Sequence, residues 1–247
     1  MQPDVFQRMA EIQDVHWWFV ARRHILSAVL DRLELPAGAR IIEIGCGTGG
    51  NLAMLSRHGS VSALEPDAMA RAFARIRGGV DVHEGALPDR VPFEDGAFDL
   101  VVALDTIEHI DNDRATLETL LGLLRPGGAL VVTVPAYQFL WSRHDEVRQH
   151  RRRYLKRTLL DMVRAVGFRP VYSSYFNTWL FPAIAAIRLV RRAFGNGRGD
   201  DDTLPPPFLN WLLTKIFSSE RYLIGRVPLP MGVSIIVVAR RPEEKTV

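Results

Sequence analysis

The chain has 247 residues, 47% apolar and 24% charged, with a net charge of +3; this is an ordinary globular composition with one sizeable core, and it excludes a disordered or low-complexity chain. The basic excess is too mild to imply a nucleic-acid partner. Cys46 is the single cysteine, so no internal disulfide can form, and the opening "MQPDVFQRMAEIQD" lacks the apolar core of a signal peptide, which makes a cytoplasmic location the expectation.

Residues 22 to 35 put Ile25, Leu26, Val29, Leu30 and Leu33 at helical spacing ahead of Pro36, which predicts a helix. "RIIEIG" is a short β-branched run closed by glycine and reads as a buried strand. Helix "NLAMLSRHG", strand "SVSALEPD", helix "AMARAFARIRGG" and strand "VDVHEG" follow. A loop, the strand "FDLVVALD", a polar helix around 113 to 124, the turn "RPGG" and the strand "ALVVTVP" come next. Strands alternating with helices predict a parallel sheet covered on both faces, with ligands at the carboxyl ends of the strands. Beyond it, 137 to 154 is a polar loop dense in Arg and His, "KRTLLDMVRAVGF" an amphipathic helix, "RPVYSSYF" a sixth strand and "VSIIVVARR" a seventh. The insertion of roughly fifty residues between the last two is long for a plain connection and is expected to be functional. No run reaches the ~18 apolar residues of a membrane span, and no internal repeat is present.

The turn "GCGTGG" satisfies G-x-G-x-x-G with Gly45, Gly47 and Gly50, a dinucleotide fingerprint when its neighbours agree. Here they disagree. Glu43 stands two residues before the turn, and no Lys or Arg occurs from Ile41 through Ser56. A carboxylate at the lip opposes a pyrophosphate and suits a ligand carrying an ammonium and a sulfonium. Glu65, ending the second strand, can accept both hydroxyls of a ribose. From Ile41 to Asp111 there are twelve Asp and Glu against five Arg, a balance suited to a cationic nucleoside. Glu43, Glu65 and Asp105 are the acids carried forward as functional.

"IIEIGCGTGGNL", "ALEPD", "VPFEDGAFDLVVALDTIEHI" and "LLRPGGALVVTVP" resemble, in order and spacing, the motifs of class I S-adenosylmethionine-dependent methyltransferases, over about 41 to 176 and again at the last strand. The resemblance implies an α/β, Rossmann-like, doubly wound seven-stranded sheet, mostly parallel, whose last strand runs antiparallel between the fifth and sixth and follows a helical insertion. It also implies S-adenosyl-L-methionine as the bound donor. Carried over by position, Glu43, Gly45, Cys46, Gly47, Thr48, Gly49 and Asn51 frame the methionine moiety, Glu65 with Pro66 meets the ribose, Ala86 and Leu87 meet the adenine, and Asp105 lies below the sulfonium. Ala86 stands where related sequences often carry an acid, and Glu84 is the nearest substitute. On this reading 1–247 is a single domain made of a cap and first helix (1–36), a donor-binding core (37–136), an acceptor-side loop, helix and strand (137–176), a helical insertion or lid (177–231) and a final strand and tail (232–247).

Methyl transfer from a sulfonium needs alignment and exclusion of water, and a base only if the acceptor loses a proton. His109 in "DTIEHI" and His150 are the candidate bases, with Asp105 the third catalytic candidate. Asp105, Glu108 and His109 also form a ligand set suited to Mg, Mn or Zn. The segment is similar to the corresponding loop of quinone-biosynthesis O-methyltransferases, some of which use a divalent ion; no metal is assigned. Trp17 and Arg22, in "HWWFVARR", and His144, Arg152 and Tyr154, in "RHDEVRQHRRRYLKR", are the candidate acceptor residues. Nine Arg and Lys against three acids between Gln138 and Arg169 point to an anionic acceptor, with Arg152 in contact with it.

In the insertion, Phe208, Leu209, Leu212 and Ile216 share a helical face, and "WLFPAIAAIRLVRR" ends in basic residues. Residues 178–217 either pack as a lid, the reading taken first, or make a peripheral membrane contact. The expected function is methyl transfer to a small or lipid-linked, anionic acceptor, at oxygen. The alternatives are an NAD(P)-dependent oxidoreductase and a non-catalytic donor-binding regulatory protein.

Overall fold

The computed structural model describes residues 3–194 and 203–243. The chain opens with helices α1 (Pro3–Ile12) and α2 (Trp17–Leu30). Then come β1 (Arg40–Ile44), the single turn α3 (Leu52–Leu55), β2 (Ser60–Glu65), α4 (Ala68–Gly78), β3 (Asp81–Glu84) and β4 (Phe98–Leu104). A 3-10 turn at Ile107–His109 leads to α5 (Asp113–Leu123) and β5 (Leu124–Pro135), and α6 (Arg143–Val147) and α7 (Lys156–Ala165) to β6 (Arg169–Phe176). After α8 (Phe181–Ala193) and α9 (Pro207–Ser218), β7 (Ser234–Arg240) closes the sheet.

The seven strands lie in the order β3-β2-β1-β4-β5-β7-β6, with β7 antiparallel to both neighbours and all other pairs parallel. This is the seven-stranded sheet expected from the motifs. All of β4 is buried, as are four of the five residues of β1, which is why these strands read as continuous apolar runs: helices cover both faces. One core joins Ile25, Leu26 and Val29 of α2 to the sheet and to Phe217 of α9; the other joins Leu117 and Leu120 of α5 and Leu159 and Val163 of α7 to the opposite face. The chain winds outward in opposite directions from β1 and β4, so a crevice opens beyond their carboxyl ends.

Several elements differ from the sequence expectation. Helix α1 falls in a stretch read only for its lack of a signal core; it is short and buries Val5, Phe6 and Ile12. Helix α2 starts at Trp17 and stops at Leu30, well before Pro36, because residues 31–33 form a turn that still buries Leu33. "NLAMLSRHG" yields one helical turn. The "RPGG" turn is absorbed into β5, where Gly127 N–H donates to Arg241 O at 3.0 Å and Arg241 N–H to Gly128 O at 2.9 Å. Within the insertion, most of "NGRGDDDTLPPP" lies outside the described residues.

Candidate active site

At the crevice the turn after β1 is held in conformations that favour glycine: φ is +68° at Gly45 and +55° at Gly47. A Cβ on Gly45 would fall 2.6 Å from Thr106 Cγ2, and one on Gly50 2.2 Å from Gln13 Oε1. The turn is therefore pressed between the loop after β4 and the end of α1. Gly49 is different. Its Cβ would lie 2.9 Å from Ala74 Cα, so its lack of a side chain lets α4 pack, and it does not line the cavity.

Glu65 ends β2 with its side chain in the cavity. Oε2 accepts from Gly47 N–H at 2.8 Å and Oε1 from Asp67 N–H at 3.0 Å, leaving each carboxylate oxygen a further lone pair. Burial raises its pKa, against those two backbone bonds. Glu43 does not face the ligand space: it is buried behind the turn, Oε1 accepting from Asn51 Nδ2 at 2.7 Å and Oε2 meeting no donor. Burial pushes its pKa up to about 7, so it cannot be counted as a full negative charge at the lip. Nor is the cleft free of arginine, as the local stretch suggested. Helix α2 carries Arg22 into an ion pair with Asp105, and the guanidinium lies 4.7 Å from the centre of the Trp18 ring. Asp105 is itself held at φ +53°, its N–H donating to Thr133 O at 2.9 Å.

These groups share one continuous cavity of about 880 Å³. At one end it meets Cys46, Thr48, Asn51, Pro66, Ala86 and Leu87. Glu84 is turned away, its Oε2 2.7 Å from Arg71 Nη2. The cavity lining also includes His150, with the ring centroids of His109 and His144 at 4.8 and 6.1 Å from its own, as well as Trp17 and, left unnamed by the sequence reading, Arg148, Arg151 and Arg153. Arg152 and Tyr154 are not there. Arg152 Nη1 donates to Asp113 Oδ2 at 2.9 Å and the Tyr154 hydroxyl to the same oxygen at 3.2 Å, so both belong to the packing of α5. Helix α1 adds Phe6 and Met9, and Gln13 accepts from the Thr48 hydroxyl at 3.0 Å.

His150 Nδ1 lies 2.8 Å from Asp145 Oδ1. Asp145 is buried, accepts from Arg153 Nε and Nη2 at 2.8 and 2.9 Å, and caps α6 through Ser142 N–H at 2.8 Å. Burial alone would raise its pKa, but the His150 and Arg153 contacts hold it well below the usual carboxylate range. An ionised Asp145 only accepts, so Nδ1 carries the hydrogen and Nε2 the lone pair. The His109 ring stands 4.8 Å from that of His150. Burial, reinforced by His150, lowers the His109 pKa to about 4, so His109 is neutral near pH 7. Between them Glu108 is fully buried, and apart from its own backbone N–H neither of its oxygens has a hydrogen-bond partner. Ligand atoms of Glu108, His109 and His150 lie within 4.8 Å of one another and could hold a divalent ion; Asp105, expected in that set, is engaged by Arg22, and His150 stands in its place.

Residues 18–173 match the family described as a methyltransferase domain. The chain is 31% identical over 183 residues to a malonyl-[acyl-carrier protein] O-methyltransferase of Enterobacter lignolyticus, covering 71% of each chain. It is 32% identical over 114 residues to the ubiquinone biosynthesis O-methyltransferase of Xanthomonas axonopodis pv. citri, covering 44% of this chain and 47% of that one. Among solved structures it is similar to the methyltransferase in complex with the Haloferax volcanii Trm112 activator, with TM-score 0.64 and 18% identity over 99% of this chain and 97% of that one.

Proposed function

The chain belongs to the class I S-adenosylmethionine-dependent methyltransferases, and on that premise we propose that it methylates a hydroxyl oxygen of an anionic acceptor, small or lipid-linked, with His150 as the base. The oxidoreductase alternative gives way to the family match. S-adenosylmethionine is the methyl donor, and the residues present fit it. Gly45 and Gly47 bring the turn's backbone, at positive φ, to the cavity wall, Glu65 offers unused lone pairs for a diol, and Leu64, Pro66, Ala86 and Leu87 make a largely apolar slot for a base. When bound, the donor supplies an activated methyl group for in-line displacement, so the chain's own contribution is alignment, dryness and removal of a proton.

The His150–Asp145 contact carries the oxygen assignment. A carboxylate acceptor needs no base, whereas a hydroxyl must lose its proton as the new C–O bond forms. His150 Nε2 takes that proton while Nδ1–H remains donated to Asp145, whose charge stabilises the imidazolium. Arg151, which lines the cavity and whose backbone N–H donates to Glu108 O at 2.8 Å, supplies a cationic contact for an anionic group on the acceptor; both curated relatives described above are named O-methyltransferases, which supports oxygen as the accepting atom. The test is product formation from isotopically labelled donor with a panel of hydroxylated acids and phosphates, each run beside its O-methylated analogue. Turnover of the blocked analogues, or of amines alone, would sink the assignment.

A further inference from the structure

Twelve of the nineteen large apolar side chains that stand exposed among the described residues fall between Trp179 and Met231, a stretch that a closed lid would instead bury. Helix α8 has no buried residue at all. Ile187, Val190 and Phe194, spaced along one stripe of that segment, are 51%, 55% and 80% exposed, and on α9 Phe208 and Trp211 are 73% and 54% exposed with stacked rings. Such a concentration marks an interaction surface.

Its charge selects the occupant. Over residues 179–194 and 203–233, Glu220 is the sole acid; it is buried and accepts from the backbone N–H groups of Asn177, Thr178 and Trp179 at 2.6 to 3.0 Å. Arg192, Lys215 and Arg226 are exposed in the same stretch, Lys215 Nζ lying 6.0 Å from the Trp211 ring centre. Asp200 to Asp202 of the connecting sequence lie outside the described residues. A two-fold contact with a second copy would set this basic face against itself, whereas a bilayer with acidic headgroups complements both its charge and its aromatics. Among the described residues no helix is long and apolar enough to cross a membrane, so the contact would be peripheral.

We propose that α8 and α9 dock the protein on an anionic phospholipid surface. Because Ile184, Ile187, Arg188 and Arg191 of α8 also line the cavity, docking sets the α8 wall of the cavity beside the lipid. That the acceptor arrives on a lipid rests on the functional reading above; the docking itself does not.

The experiment is flotation of the full chain with vesicles of phosphatidylcholine alone or with roughly one third phosphatidylglycerol, at low and high salt. Expected is salt-sensitive binding to the acidic vesicles. It should weaken about tenfold or more in the Arg192→Glu, Lys215→Glu double variant and comparably in Phe208→Ser, Trp211→Ser. Circular dichroism and donor affinity, read without vesicles, confirm that each variant is folded and keep a failed docking apart from a failed methyltransferase assignment. Equal binding to neutral vesicles, no binding at low salt, or a dimer in sedimentation velocity that the apolar variant dissolves would each overturn the proposal.

Discussion

Asp145 Oδ1 sits 2.8 Å from His150 Nδ1, and Arg153 grips both oxygens of the same buried carboxylate. The clamp fixes the ring and its tautomer before any acceptor arrives. His150→Ala should lower kcat by about 10²–10⁴-fold with donor affinity unchanged in calorimetry. Asp145→Asn should lower kcat as well, and also cost about 3 kcal/mol of stability in chemical denaturation, since it leaves the buried Arg153 guanidinium without its counter-charge. A divalent ion on Glu108, His109 and His150 would occupy the same Nε2 lone pair. Turnover by the base route therefore survives chelation, and activity lost to a chelator and restored by zinc or manganese would refute it.

Glu65 is the acid best placed to meet a ribose, with both oxygens steered by the N–H groups of Gly47 and Asp67. Glu65→Ala removes two charge-assisted acceptors and should weaken S-adenosylmethionine and its demethylated product by about 10- to 100-fold each. Glu65→Gln should lose less. Calorimetry showing wild-type affinity for both ligands in Glu65→Ala would remove the ribose assignment.

Glu43 gives the protein a pH dependence of definite sign. Its folded pKa of about 7 lies above the ordinary value of 4.5 because burial outweighs the Asn51 bond, so the folded chain holds this proton more tightly than the unfolded one. Its contribution is fully present below about pH 4.5 and is lost as pH rises toward 7. Glu43→Gln keeps an oxygen for Asn51 and removes the ionisation. Compared with wild type, it should be more stable by up to about 3 kcal/mol at pH 8 and nearly equal at pH 4. A constant difference across that range in denaturant titrations would show that Glu43 ionises freely in the folded chain.

What the sequence made legible was local or doubly buried. β1, β4 and β7 announced themselves because helices cover both faces and leave no polar alternation, and the glycine turn because its requirements fall within six residues. Pairings across long separations were not legible: Arg22 meets Asp105 at 83 positions' distance and Gln13 meets Thr48 at 35. Counting Glu43 as a charge failed because burial, which a sequence does not print, changes the protonation. Asp145 had a signal that went unread, a Ser142-x-x-Asp145 helix cap five residues before His150.

The run Arg151-Arg152-Arg153 raises the remaining question of which arginines reach the acceptor. Residues 151–153 have no regular secondary structure, and their three side chains go to different partners. Arg151 and Arg153 line the cavity, while Arg152 turns away to Asp113 and to Asp111 O, 2.9 Å from each. Arg153 is committed to Asp145, which leaves Arg151, beside the weak 3.3 Å contact of its Nε with Asp111, as the arginine of the three positioned to answer an anionic acceptor. Arg151→Ala should raise the acceptor KM about tenfold or more with donor affinity intact. Arg152→Ala should leave that KM within about twofold and cost no more than about 1 kcal/mol of stability, its ion pair being partly solvated. Steady-state kinetics on the two variants decide the matter: loss of acceptor saturation in Arg152→Ala with none in Arg151→Ala would mean that the loop reorients to bind and that Arg152, not Arg151, holds the anionic group.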